Sequence, residues 1–241
     1  MRPVLSLALL AILPAAAAAA DYGPSFDCAK ASTTVEKAIC DDSTLSDFDR
    51  WVGQLYKGLS AELDSAGQAA LKAEQRGWLK DERNACASAK SQDPAVPDSG
   101  AVWSCLYEVY ETRAVQLSQA LEAALNGEPG PEGPWSGTYS FDDGFASGSL
   151  LLMAMPDGSY TLHVSSVAGP GAHVCDLTAS GDAEPEGSLG FTVAETPSCW
   201  IGLDRMGDGQ GSVALTAEGC EDWCGANGYF TGDYRAVRPT Y

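Results

Sequence analysis

The placement of eight cysteines constrains this chain most: Cys28, Cys40, Cys86 and Cys105 stand in the first half, Cys175, Cys199, Cys220 and Cys224 in the second. Each set is even, so each half can close its own bridges. Between them runs Asn126 to Pro134, NGEPGPEGP, whose glycines and prolines read as a linker. Clustered cysteines serve either metals or disulfides. No C-x-x-C pair is present, and the two histidines, His163 and His173, lie ten residues apart in strand-like sequence. Disulfides are therefore expected, with no metal and no cofactor. The compartment agrees. Arg2, an apolar run from Val4 through Leu13 and small residues ending at Ala20 form the pattern of a secretory signal peptide over residues 1–20. An uncleaved anchor needs about 20 apolar residues, and here the second half is alanine without a basic stop-transfer flank. No later segment is apolar enough to span a bilayer, so no stable membrane insertion is expected after signal cleavage. Cys28 follows Ser25-Phe26-Asp27 instead of small residues, which argues against lipidation. The expected location is periplasmic or secreted, where disulfides persist.

Charge narrows the partners. The chain carries a formal net charge of −19, and beyond residue 127 it has three arginines, no lysine and 16 acidic residues. Such a surface repels nucleic acid and attracts a basic protein through its long-range field, although acidity also serves solubility alone.

The fold class expected is α+β in two domains: a disulfide-bonded helical bundle over 21–125, the linker 126–134, and an antiparallel β-barrel or sandwich over 135–241. In the first domain, Thr33 with Glu36 forms a capping box for a short helix ending at Cys40. Phe48, Trp51, Val52, Leu55, Tyr56, Leu59 and Leu63 recur at three- and four-residue steps on a helix begun near Ser43 or Thr44. Ser65 with Gln68 is read as the cap of the next helix, which carries Leu71, Gln75, Trp78, Leu79, Glu82 and Cys86 along one side. A third helix carries Val102 through Leu121. Chain order suggests Cys28–Cys40 and Cys86–Cys105 among the three possible connectivities. The second bridge would close a loop that Pro94 and Pro97 keep from being helical throughout.

The run Phe26-Asp27-Cys28-Ala29-Lys30-Ala31 and Val35-Glu36-Lys37-Ala38-Ile39-Cys40, followed by Leu45, Asp49, Leu55-Tyr56, Gln75-Arg76, Trp78-Leu79, Arg83, Cys86, Cys105, Tyr110 and Arg113, resembles the LprI-type lysozyme inhibitor domain, a small exported helical module of bacteria. The resemblance covers about residues 26 to 121; the β half is outside it. What it implies is inhibition of lysozyme, a basic hydrolase with paired carboxylates in an open cleft, by steric occlusion. No catalytic residue is needed for that. The motif residues Glu36, Asp49, Tyr56, Gln75, Trp78, Arg83 and Arg113 are read as structural: aromatics at helical spacing favour core, and polar groups beside buried stripes favour a network fixing helix register.

After the linker the period changes to two. Trp135 to Phe141, Ser149 to Met155, Tyr160 to Ser166, His173 to Ala179, Leu189 to Ala194, Trp200 to Asp204, Gly211 to Thr216 and Tyr229 to Val237 read as strands, with tight turns at Asp143-Gly144, Asp157-Gly158 and Asp208-Gly209. Trp135-Ser136-Gly137-Thr138-Tyr139 and Phe230-Thr231-Gly232-Asp233-Tyr234 share aromatic-x-Gly-x-Tyr, which suggests that the first and last strands pair and close a barrel. Asp204 to Gly209 lacks the ligands of a calcium loop and reads as a hairpin. Cys175–Cys199 and Cys220–Cys224 are the pairings expected here. The latter would close Glu221-Asp222-Trp223 into a tight loop, making Trp223, Glu221 and Asp222 the candidate partner contacts against the plainer alternative that Trp223 packs over the barrel end. No nucleophile elbow, Ser/His/Asp set, phosphate loop or zinc-protease motif appears, so no enzyme is expected. The alternative function is a non-enzymatic periplasmic binding or scaffolding module whose barrel holds a ligand or envelope component.

Overall fold

The computed structural model describes residues 23–93, 95, 97–185 and 187–237. The expected signal peptide, residues 1–20, and Pro94 lie outside these. Among the described residues four α-helices, α1 (Thr34–Asp41), α2 (Ser43–Glu62), α3 (Ser65–Gly77) and α4 (Asp98–Asn126), precede eight strands: β1 (Gly137–Asp142), β2 (Ala146–Ala154), β3 (Tyr160–Ala168), β4 (His173–Ala183), β5 (Leu189–Val193), β6 (Thr196–Arg205), β7 (Val213–Glu218) and β8 (Gly232–Ala236). The strands run antiparallel in chain order and form a closed barrel. β1 and β8, the strands that the repeated motifs lead into, pair to close it, with Tyr139 opposite Ala236 and Ser140 opposite Arg235.

Local chemistry sets the helix ends. The Thr33 hydroxyl accepts the Glu36 amide while the Glu36 carboxylate accepts the amides of Ser32 and Thr33, which holds its pKa at about 2. The cap of α3 is Asp64, not Ser65: Asp64 Oδ1 accepts the Gly67 amide, and Gln68 instead donates to the carbonyls of Ser60 and Leu63. The expected long second helix also changes pitch. α3 stops at Gly77, and a π-helical turn, Trp78–Arg83, followed by a 3-10 turn, Asn84–Ser88, carries the chain to Cys86.

The barrel interior is filled by Tyr139, Leu150, Leu152, Leu162, Val164, Leu177, Phe191, Ile201, Leu203 and Tyr234. The packing removes the room that a ligand inside the barrel would need. A second core contains the helical side chains Ile39, Leu45, Phe48, Leu55, Leu106, Tyr110 and Leu121 together with Leu151, Met153 and Met155 of β2 and its turn. β2 is thus buried on both faces, which is why Leu150 to Met155 reads as an unbroken apolar run instead of alternating. Gly58 of α2 permits the close approach, since a Cβ there would run into Pro156. The stretch joining the two halves is tied to the barrel: Arg205 lies 4.0 Å over the Trp135 ring and donates to the carbonyls of Gly133 and Pro134 at 3.1 and 2.7 Å.

All eight cysteines are paired. Cys28–Cys40 and Cys86–Cys105 form as chain order suggests. In the β half the pairs are Cys175–Cys224 and Cys199–Cys220, correcting the expected Cys175–Cys199 and Cys220–Cys224. Topology explains the difference: β5 stands between β4 and β6, so Cys175 cannot reach Cys199. Cys199 instead meets Cys220 across the β6–β7 ladder, where Trp200 opposes Glu218.

His163 lies on β3 at the junction of the halves, buried against the rings of Phe48 and Trp51, with Nδ1 3.2 Å from Thr178 Oγ1 and Nε2 3.9 Å from Asp176. Burial lowers its pKa although Asp176 and Asp47 pull the other way. The neutral form is therefore the folded one. An unfolded histidine gains its proton near pH 6.5, so stability is full above that value and is lost as pH falls toward the lower folded pKa, by up to about 1.4 kcal/mol per pH unit. Glu111, whose pKa burial raises, contributes with the opposite sign. The difference between wild type and His163→Leu in thermal melts from pH 7.5 to 5 isolates the histidine: the wild type should lose more stability, and parallel curves would contradict this.

Candidate functional site

The motif residues of the helical half converge on its interior. Asp49 of α2 is buried and accepts from Tyr110 Oη at 2.6 Å and from Ser25 N and Oγ at 2.7 and 2.6 Å, with Arg83 Nη1 at 3.8 Å. Arg83 reaches Asp49 from the π-helical turn. Burial raises the Tyr110 pKa, so the phenol stays a donor. Trp78 packs edge-on against Tyr110 at 5.1 Å between centroids. A second pair stands nearby: buried Arg113 donates from Nε to Gln75 Oε1 at 3.0 Å and from Nη1 to Gln116 Oε1 at 3.2 Å. Burial lowers the Arg113 pKa, opposed by Glu74 and Glu82. Tyr56 is half-buried against the same core. Glu36 stays in its capping box. Asp49 ties α2 to Tyr110 of α4 and to Arg83, while Gln75 and Arg113 tie α3 to α4, and Asp49, Trp78 and Arg113 have little surface to offer a partner.

In the β half, Glu221 and Asp222 are exposed on a 3-10 turn, Glu221–Trp223, while Trp223 is half-buried against the barrel core with its indole N–H enclosed. Trp223 borders a concavity of about 440 Å³ where Asp47 and Arg50 of α2 face Asp176 and Thr178 of β4 and Glu195.

Another concavity, about 800 Å³, lies on the outer wall of β1, β2, β3 and β8. Its floor follows from strand register. Arg235, Ser140, Ser149, Ser165 and Asp176 lie opposite one another across β8, β1, β2, β3 and β4, and the next row holds Asp142, Ser147, Val167 and Val174. Small hydroxyls at the centre make the wall concave, and Asp142, Asp143 and Asp233 outnumber Arg235 around it. Tyr229 donates to Asp143 Oδ2 at 2.6 Å. At the edge stands Phe145, 56% exposed and the most exposed of the large apolar side chains among the described residues, with Val167 at 45% and Val174 at 53%. Periodicity does not single out Phe145, which falls between a turn and a strand. Its signal was positional: an aromatic directly after Asp143-Gly144, one residue before β2.

No group of histidine, cysteine, aspartate and glutamate side chains arranged to hold a metal occurs among the described residues, and no helix there is long and apolar enough to cross a membrane. Comparison with protein families finds that residues 27–117 match the family described as Lysozyme inhibitor LprI. The matched segment runs from the 3-10 turn Cys28–Lys30 into α4 and stops before the barrel, as the motif residues do. No curated protein and no solved structure matches the chain.

Proposed function

We propose that this protein is an exported inhibitor of a lysozyme, acting without catalysis by occupying the enzyme's substrate cleft. The family match over residues 27–117 carries this reading; the matched segment includes the residues of the Asp49 and Arg113 networks of the helical half. Two properties of the molecule support it. A net charge of −19, concentrated in the β half, complements a cationic enzyme and speeds encounter. Four disulfides hold a shape that needs little ordering on binding, and they suit the periplasm or the extracellular space, as the signal-like segment over residues 1–20 does. Holding a ligand within the barrel, the other function open at the level of sequence, finds no support in an interior filled with large side chains.

Cleft occupation has a kinetic signature. Turnover of a short soluble chitooligosaccharide should be inhibited competitively, with KM raised and kcat unchanged, and the inhibition should weaken as salt is added. Protection of whole cell walls without any effect on the soluble substrate would place the action outside the cleft.

A further inference from the structure

We infer that a target-binding surface lies on the barrel, at the end of the wall formed by Phe145, Val167 and Val174 with the adjoining carboxylate-lined trough. This inference rests on the inhibitor reading for the identity of the partner, a cationic protein. Three apolar side chains, each about half exposed, sit together by register: Val167 opposes Val174, and Phe145 lies two residues before Ser147, the β2 partner of Val167. A soluble chain leaves such a cluster open where something covers it.

Phe145 is held in place although it is exposed. Its amide donates to Asp143 Oδ1 at 2.9 Å, its carbonyl accepts the Gly169 amide at 2.9 Å, and its ring lies parallel to Tyr229 with centroids 6.5 Å apart. Gly169, with φ of 63°, leaves the space over which the ring lies; a Cβ there would meet Cζ at 2.8 Å. Little entropy is left to lose when this aromatic is covered, the property of an interface anchor. Trp223 lacks it, being already packed on the barrel.

Charge selects the occupant. Asp142, Asp143 and Asp233 border the trough and Asp176 lies two residues from Val174 on the outer face of β4, against Arg235 and the nearby His173. An apolar centre with an acidic rim fits a basic protein. It disfavours a second copy of this chain, which would bring the same carboxylates into opposition.

The test measures binding and inhibition separately. The mature protein, Phe145→Ala and Asp142→Asn/Asp233→Asn are titrated calorimetrically against lysozymes of several classes, with melting temperatures recorded for each variant. Phe145→Ala should weaken binding by about 30-fold or more, the effect of losing a hot-spot residue, with melting unchanged. The double asparagine variant, which keeps the shape of the trough, should bind more slowly and with less dependence on salt. Binding through Phe145 without inhibition would sustain this surface and refute the inhibitor reading. Inhibition that both variants leave intact would sustain that reading and overturn this surface. Failure of the wild type to bind any lysozyme overturns the surface, as does a homodimer in sedimentation that Phe145→Ala dissociates.

Discussion

Asp49→Ala should destabilise the protein by about 3 kcal/mol or more, because removing one member of a buried charged network leaves the others unpaired. The hydroxyl of Tyr110 would lose its 2.6 Å acceptor inside the core, the Ser25 amide and hydroxyl would lose theirs, and Arg83 would face an empty position. For a chain of this size that corresponds to a fall in Tm of roughly 6–12 °C. Binding measured well below the transition should be unchanged, since Asp49 has no surface to offer. A variant that melts like the wild type but no longer binds would reverse the assignment of Asp49 from structural to contact residue.

Glu122→Ala is the second large expected effect, and it acts where the halves join. The buried carboxylate of Glu122, near the end of α4, accepts from Trp135 N, Ser136 N and Ser136 Oγ at 2.8, 2.8 and 2.6 Å. Ser136 Oγ in turn accepts the Ala154 amide and the Ser118 hydroxyl, so one side chain links α4, the entry to β1 and the end of β2. Truncation leaves two backbone N–H groups without partners, each costing about 1–3 kcal/mol. A loss of about 3 kcal/mol in urea unfolding is expected. A change below 0.5 kcal/mol, the size typical of surface substitutions, would mean that the connection between helices and barrel does not depend on this carboxylate.

The elements legible in the sequence were those that local chemistry dictates. Helical periodicity and the Thr33–Glu36 capping box located the bundle, and the alternation and Asp-Gly turns located eight strands. The twin aromatic-x-Gly-x-Tyr motifs marked the closing pair. What escaped depends on groups far apart in the chain. The β-half disulfides follow from β5 lying between β4 and β6, which no cysteine spacing records. The π-helical turn at Trp78–Arg83 answers to the position of Asp49, since it brings Arg83 to that carboxylate. A displayed Trp223 depends on a Cys220–Cys224 bridge; with Cys175–Cys224 and Cys199–Cys220 formed instead, Trp223 packs against the barrel, the plainer alternative. Phe145 was missed for the converse reason: periodicity finds apolar residues that are buried and has no means of finding one that is held in place and left uncovered.

Both substitutions concern the scaffold, whereas inhibition concerns the contact with lysozyme. Its most direct test is a titration of the mature protein into cell-wall lysis reactions run with lysozymes of several classes at low salt. With at least one class the rate of lysis should fall in proportion to added protein and approach zero once the inhibitor exceeds the enzyme. Undiminished lysis by every class at micromolar excess of the protein would contradict the claim.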